Sequence, residues 1–211
     1  MLLVTGTLAV AAMAAVVAGP VEAQTLTKAE RKRLVNHLKD TRKALEKETK
    51  GLTAAQWNFK AAPDRWSVAE CLEHITLSED MLFGLVSDKV MKTPAQAEQY
   101  NAAAALEKDN QVIKLVPDRS QKVQAPAELR PSGKWASPAE TWKHFEESRK
   151  RTIEYARATA ELRSHFMDSP VIKNMDGYEW LLFLSAHSER HTAQIREVKA
   201  DAKYPKKPSR Y

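Results

Sequence analysis

Apolar residues recur at helical spacing along four stretches of this chain. Leu34, Leu38, Leu45 and Leu52 mark the first; Val68, Leu72, Ile75, Leu82 and Val86 the second; Trp142, Phe145, Ile153, Ala156 and Ala160 the third. Such stripes bury one face of a helix against its neighbours. Each run, and a fourth beginning near residue 177, opens on a capping signal: Thr27…Glu30, Ser67…Glu70, Ser137…Glu140 and Asp176…Glu179. In this arrangement the first side chain accepts from a free backbone N–H, and the Glu reaches back to another. Pro138 occupies the first helical position of the third run, where its missing N–H costs nothing. The spacing predicts helices over 27–50, 67–92, 137–163 and 177–200, hence an all-α four-helix bundle. Residues 93–136 contain Pro94, Pro117, Pro126, Pro131 and Gly133 and predict a long crossover connection between the second and third helices. It has room for a short helix at 94–106. It is long enough to cross the bundle, so those two helices need not be antiparallel neighbours. No internal repeat is visible.

The first 23 residues follow another pattern. From Leu2 to Ala18 there is no charged residue, and the run ends at Gly19-Pro20 followed by Val21-Glu22-Ala23. This predicts a secretory signal cleaved after Ala23, although no Lys or Arg precedes the apolar run. The expected organisation is a signal at 1–23, a bundle domain at 24–202 and a disordered basic tail at 203–211. Export to the periplasm or the medium is expected, with no stable membrane insertion after cleavage.

Composition adds limits. Six glycines in 211 residues and 28% charged residues suit a helical globular domain. The net charge is +6, and loss of Glu22 with the signal raises it by one to +7. The bases interleave with acids, as in Glu30-Arg31-Lys32-Arg33 and Glu146-Glu147-Ser148-Arg149-Lys150-Arg151, a pattern expected of solvated helix faces. No basic-aromatic strip points to nucleic acid. The single cysteine, Cys71, has no internal disulfide partner, so the core alone must hold the fold.

Candidate chemistry lies in the fourth helix. At 100° per residue with His187 at zero, Trp180 falls near about 20°, His191 near about 40° and Leu184 near about 60°. His187 and His191 therefore stand in mid-stripe, where leucines belong. Imidazoles at i and i+4 point the same way and suit one metal ion. A hydrogen-bonded core pair is the competing reading. His74, at the edge of the apolar face of the second helix, is the best third ligand among His37, His74, His144 and His165. Cys71 is one turn from His74 and within reach of the same site, but suits a small core residue beneath Trp66 better. Glu70 is explained by its capping box. Gln194 is either a hydrogen-bond partner of the site or an edge residue. Arg190 flanks the stripe or meets an anionic substrate.

The segment Arg65-Trp-Ser-Val-Ala-Glu-Cys-Leu-Glu-His74-Ile, the run His187-Ser-Glu-Arg-His191-Thr-Ala-Gln194-Ile and the segment Pro131-Ser-Gly-Lys-Trp135 resemble the DinB-like superfamily, over roughly residues 26–200. The resemblance implies a four-helix bundle with His74, His187 and His191 as ligands of a divalent ion, zinc or nickel first, often in a homodimer. It implies a metal-dependent hydrolase or a thiol S-transferase acting on an unidentified small molecule, with no catalytic residue beyond the ligands named. Export stands against thiol transfer, because the common low-molecular-weight thiols are mainly intracellular. A non-catalytic metal-binding bundle is the alternative. Nothing in the sequence supports a DNA role.

Overall fold

The computed structural model describes residues 25–207, so the expected signal at 1–23 lies outside the described residues. Four long helices form the bundle: α1 (Lys28–Thr49), α3 (Val68–Asp88), α5 (Pro138–Ala158) and α6 (Gly177–Lys199). The short α2 (Ala54–Asn58) and α4 (Ala102–Leu115) accompany them. A two-residue antiparallel pair, β1 (Phe166–Met167) with β2 (Met175–Asp176), leads into α6.

The predicted caps start all four long helices. Thr27, Ser67 and Asp176 form full reciprocal boxes with the Glu three residues on. At α5 the Ser137 hydroxyl accepts from Glu140 N–H, but Glu140 turns back to the N–H of Ala136 instead. Each cap stabilises its helix by about 1 kcal/mol. The predicted ends are too long: α3 stops at Asp88, before a 3-10 turn at Val90–Lys92, and α5 stops at Ala158. A further box, Thr53 with Gln56, opens α2. The short helix of the connection begins at Ala102 and is capped by Asn101, later than expected.

Cross-helix bonds give the directions. Tyr178 reaches the Glu30 carbonyl, His37 meets Ser185, and Arg196 meets Glu48, so α1 and α6 run parallel. Arg42 meets Glu146 and Arg31 the Ala156 carbonyl, so α1 and α5 run antiparallel. Glu79 binds Arg149, and Phe83 meets Tyr155 at 5.4 Å between ring centroids, so α3 and α5 run parallel. The connection therefore carries the chain back to the end of the bundle where α3 starts. Arg31 also caps the carboxyl end of α5 through the carbonyls of Ala156, Arg157 and Thr159. Gly177 begins α6 where an added Cβ would stand 3.0 Å from the Leu162 carbonyl oxygen. Part of the basic tail is placed against α2: Tyr204 packs edge-on to Phe59, and Gln56 donates to the Pro205 carbonyl.

Two buried ionic clusters thread the core. Arg149 is fully buried, with Glu79 beside it, which corrects the reading of its charge run as a wholly solvated face. Near the start of α6, Arg163 binds Asp109, Asp176 and Glu30 and lies 3.8 Å from the ring centroid of Tyr178. Burial, followed by the neighbouring Asp176, holds the Glu179 carboxyl above the usual carboxylate range. A raised carboxyl binds its proton more tightly when folded, so its stabilisation is present at acid pH and falls as pH rises through the raised value. Glu179→Gln is therefore expected to flatten the loss of stability between pH 6 and pH 9. Urea midpoints at both pH values check this, and an unchanged slope would refute it.

Candidate metal centre

Trp66 lies 6.1 Å from His191 and 4.8 Å from His74, and His74 lies against both α6 histidines, so α3 and α6 run antiparallel at the site. The i, i+4 spacing on α6 turns His187 and His191 toward the α3 face that bears His74. One nitrogen from each ring lies within 4.8 Å of the others. His74 is 3% exposed and His191 8%, with His187 half-buried. Trp66, the residue before the Ser67 cap, packs against His74 and His191.

The hydrogen bonds fix which nitrogens are free. His74 Nδ1 lies 2.7 Å from the Leu129 carbonyl oxygen. A carbonyl only accepts, so Nδ1 carries the proton and Nε2 is bare. His191 Nδ1 lies 2.8 Å from Gln194 Oε1, an oxygen that also accepts from Arg119. The guanidinium has only donors, so it keeps the amide oxygen facing inward, and His191 Nδ1 is the donor there. Both remaining Nε2 atoms face each other at 3.1 Å. Burial lowers the pKa of all three rings. It pushes His187 down to about 3, helped by His74 and Arg190, and acts with the other two histidines on His191. The rings are thus neutral at pH 7, and no proton stands between the two lone pairs. Facing lone pairs in a buried site repel unless a cation joins them. The donor set fits a divalent ion, with His74 and His191 offering Nε2 and His187 the third nitrogen.

The other candidates fall elsewhere. Cys71 is buried in the apolar cluster of Val68, Leu72, Ile75 and Phe145, and burial raises its thiol pKa, as suits a core residue. Glu70 completes its capping box and pairs with Lys60 at 2.9 Å. Arg190 donates to the carbonyls of Val116, Asp118 and Gln121, pinning the end of α4 and the loop after it onto α6 rather than facing a substrate. His37 joins Ser185, and His165 donates to the Thr93 carbonyl. His144 stacks near Trp135. Gln194 is the orienting partner of His191. Gln194→Ala is expected to weaken divalent-metal affinity by about 10–100-fold with the fold intact. Competition against a chromophoric chelator measures this, and unchanged affinity would refute the assignment.

The Leu129 carbonyl had no sequence signal, since any residue supplies one. A cleft of about 490 Å³ is lined by Glu70, Glu73, Ser132, Trp135 and Thr141. None of the three histidines lines it.

The model of the DinB superfamily matches residues 37–195. The chain is 25% identical over 153 residues to the uncharacterized protein YuaE of Bacillus subtilis (strain 168), covering 72% of this chain and 88% of that protein. It is also similar in fold to YfiT of Bacillus subtilis, described as a probable metal-dependent hydrolase with an unusual four-helix bundle topology. That match covers 87% of this chain and 93% of YfiT, with a TM-score of 0.50 at 14% identity. With its family match spanning most of the bundle and all three clustered histidines, this chain belongs to the DinB superfamily.

Proposed function

We propose that the protein is a metal-dependent hydrolase in which His74, His187 and His191 hold one divalent ion. The observation that carries the reading is the gathering of one nitrogen from each ring within 4.8 Å, with the His74 and His191 Nε2 atoms 3.1 Å apart and both Nδ1 atoms engaged elsewhere. The fold shared with YfiT, described as a probable metal-dependent hydrolase, supports it. Three neutral protein ligands leave further coordination positions, as in catalytic sites. A bound divalent ion supplies Lewis acidity, polarising a substrate oxygen and acidifying water. The chain's own residues orient His74 through Leu129 and His191 through Gln194, with Trp66 packed against both rings.

The low exposure of His74 and His191 favours a second reading, an ion that only braces the bundle. Elemental analysis of the purified protein tests the common part: one divalent ion per chain is expected. A screen of ester, amide and phosphoester substrates, with and without chelator, separates the readings. Chelator-sensitive turnover is expected of the hydrolase. A stoichiometric ion with no turnover and no access for azide to the cobalt-substituted site would favour the bracing role.

A further inference from the structure

Glu73 precedes His74 on α3 and points to the connection rather than to α6. It is 7% exposed. Its carboxylate accepts from three consecutive backbone N–H groups: Ser132 at 2.8 Å, Gly133 at 3.1 Å and Lys134 at 3.0 Å. Successive N–H groups that converge in this way form an anion-binding concavity, which needs a left-handed residue within it. Gly133, at φ +74°, supplies that conformation without steric cost. Bonds from N–H groups to an ionised carboxylate are among the stronger hydrogen bonds available to a loop.

The connection is held a second time, a short distance upstream. The Leu129 carbonyl accepts a hydrogen bond from His74 Nδ1–H. Only Arg130 and Pro131 separate Leu129 from Ser132. Pro131 fixes its own φ and restricts Arg130 before it, so this link is stiff. Arg130 is tied further, its Nε donating to the Ala125 carbonyl, and Leu129 N–H closes a turn onto Pro126. Two adjacent side chains of α3 thus grip two points of one stiff segment.

We propose that Glu73 is a positioning residue of the metal centre: by anchoring Ser132–Lys134 it holds the Leu129 carbonyl that sets the tautomer and orientation of His74. This rests on the reading of His74 as a ligand. Glu73 bonds to none of the three histidines and acts only through the connection. Without the anchor, the His74 Nδ1 proton loses its fixed acceptor, and both tautomers become available. A fraction of molecules then presents a protonated Nε2 to the ion.

The test uses the full chain with 15N-labelled histidine, first metal-free and then titrated with zinc as the probe. The wild type is expected to show slowly exchanging Nδ1–H signals from both His74 and His191. Glu73→Ala is expected to lose the His74 signal, keep that of His191, and bind zinc about 10–100-fold more weakly. Gly133→Ala attacks the same cradle from the loop side. An added Cβ there meets nothing within 4 Å, so only the strained φ acts. It is expected to shift both readouts in the same direction, and it serves if Glu73→Ala does not fold. A lowered melting temperature with the His74 signal and zinc affinity unchanged would overturn the proposal, leaving Glu73 as a plain anchor. Failure of the wild type to bind zinc would overturn the metal reading, while the metal-free signals would still decide whether Glu73 positions His74.

Discussion

His191→Ala is expected to abolish stoichiometric divalent-metal binding while leaving the metal-free bundle folded. The substitution removes one of three nitrogens gathered within 4.8 Å. Its cost in affinity should exceed the about 100-fold that follows loss of a supporting hydrogen bond. The metal-free protein should scarcely suffer, because the ring removed points a bare nitrogen at another bare nitrogen 3.1 Å away. The two states therefore separate cleanly. A ligand at a thousandfold excess over its Kd stabilises the folded state by about 4.1 kcal/mol. In a domain of this size that raises the melting temperature on the order of ten degrees. Saturating zinc should produce such a rise in the wild type and none in His191→Ala. His187→Ala should behave in the same way. If the wild type shows no rise and carries no metal after incubation with zinc or nickel, the three-histidine site fails.

The largest loss of stability is expected at Arg149, which offers no ligand atom of its own. All five of its N–H donors are used inside the protein. Nε and one terminal nitrogen grip the two oxygens of Glu79 at 2.7 Å each. The others reach the Leu38 carbonyl, the Thr41 hydroxyl and the Ser188 hydroxyl at 2.8 Å each. One side chain of α5 thereby ties α1, α3 and α6. Arg149→Met would leave Glu79 buried without a counter-charge, which costs about 3–5 kcal/mol. The double variant Arg149→Met with Glu79→Leu removes both charges and should recover most of that loss, because replacing both members of a buried pair is often near neutral. Urea unfolding of the three proteins measures this. If the single variant unfolds with the wild-type midpoint, the pair does not carry the stability assigned to it. High salt should change the wild-type midpoint little, since the pair is shielded from screening ions.

Arg149 also shows how far a sequence reading reaches. It stands in a run of acids and bases, and the run alone implies solvent. Yet it lies four residues from both Phe145 and Ile153, in the gap of the apolar stripe. Glu79 fills the matching gap between Ile75 and Leu82. Two gaps of opposite charge on two stripes were a legible signal for a buried pair. Which gap meets which depends on α3 and α5 running parallel, and nothing local encodes that.

The sequence by itself determined what depends on near neighbours. Capping residues act over three positions, so the starts of α1, α3, α5 and α6 were readable from Thr27, Ser67, Ser137 and Asp176. The i, i+4 rule placed His187 and His191 on one face. Helix ends were less clear: α3 gives way after Asp88 to a 3-10 turn that no side-chain cap announces. Only the tertiary structure decided what depends on distant segments. It brought His74 to the pair across α3 and α6, joined the Leu129 carbonyl to His74, and folded the Ser132–Lys134 backbone around Glu73. Backbone carbonyls and N–H groups are the same at every residue, so their use as partners leaves no mark on the sequence until the fold sets them in place.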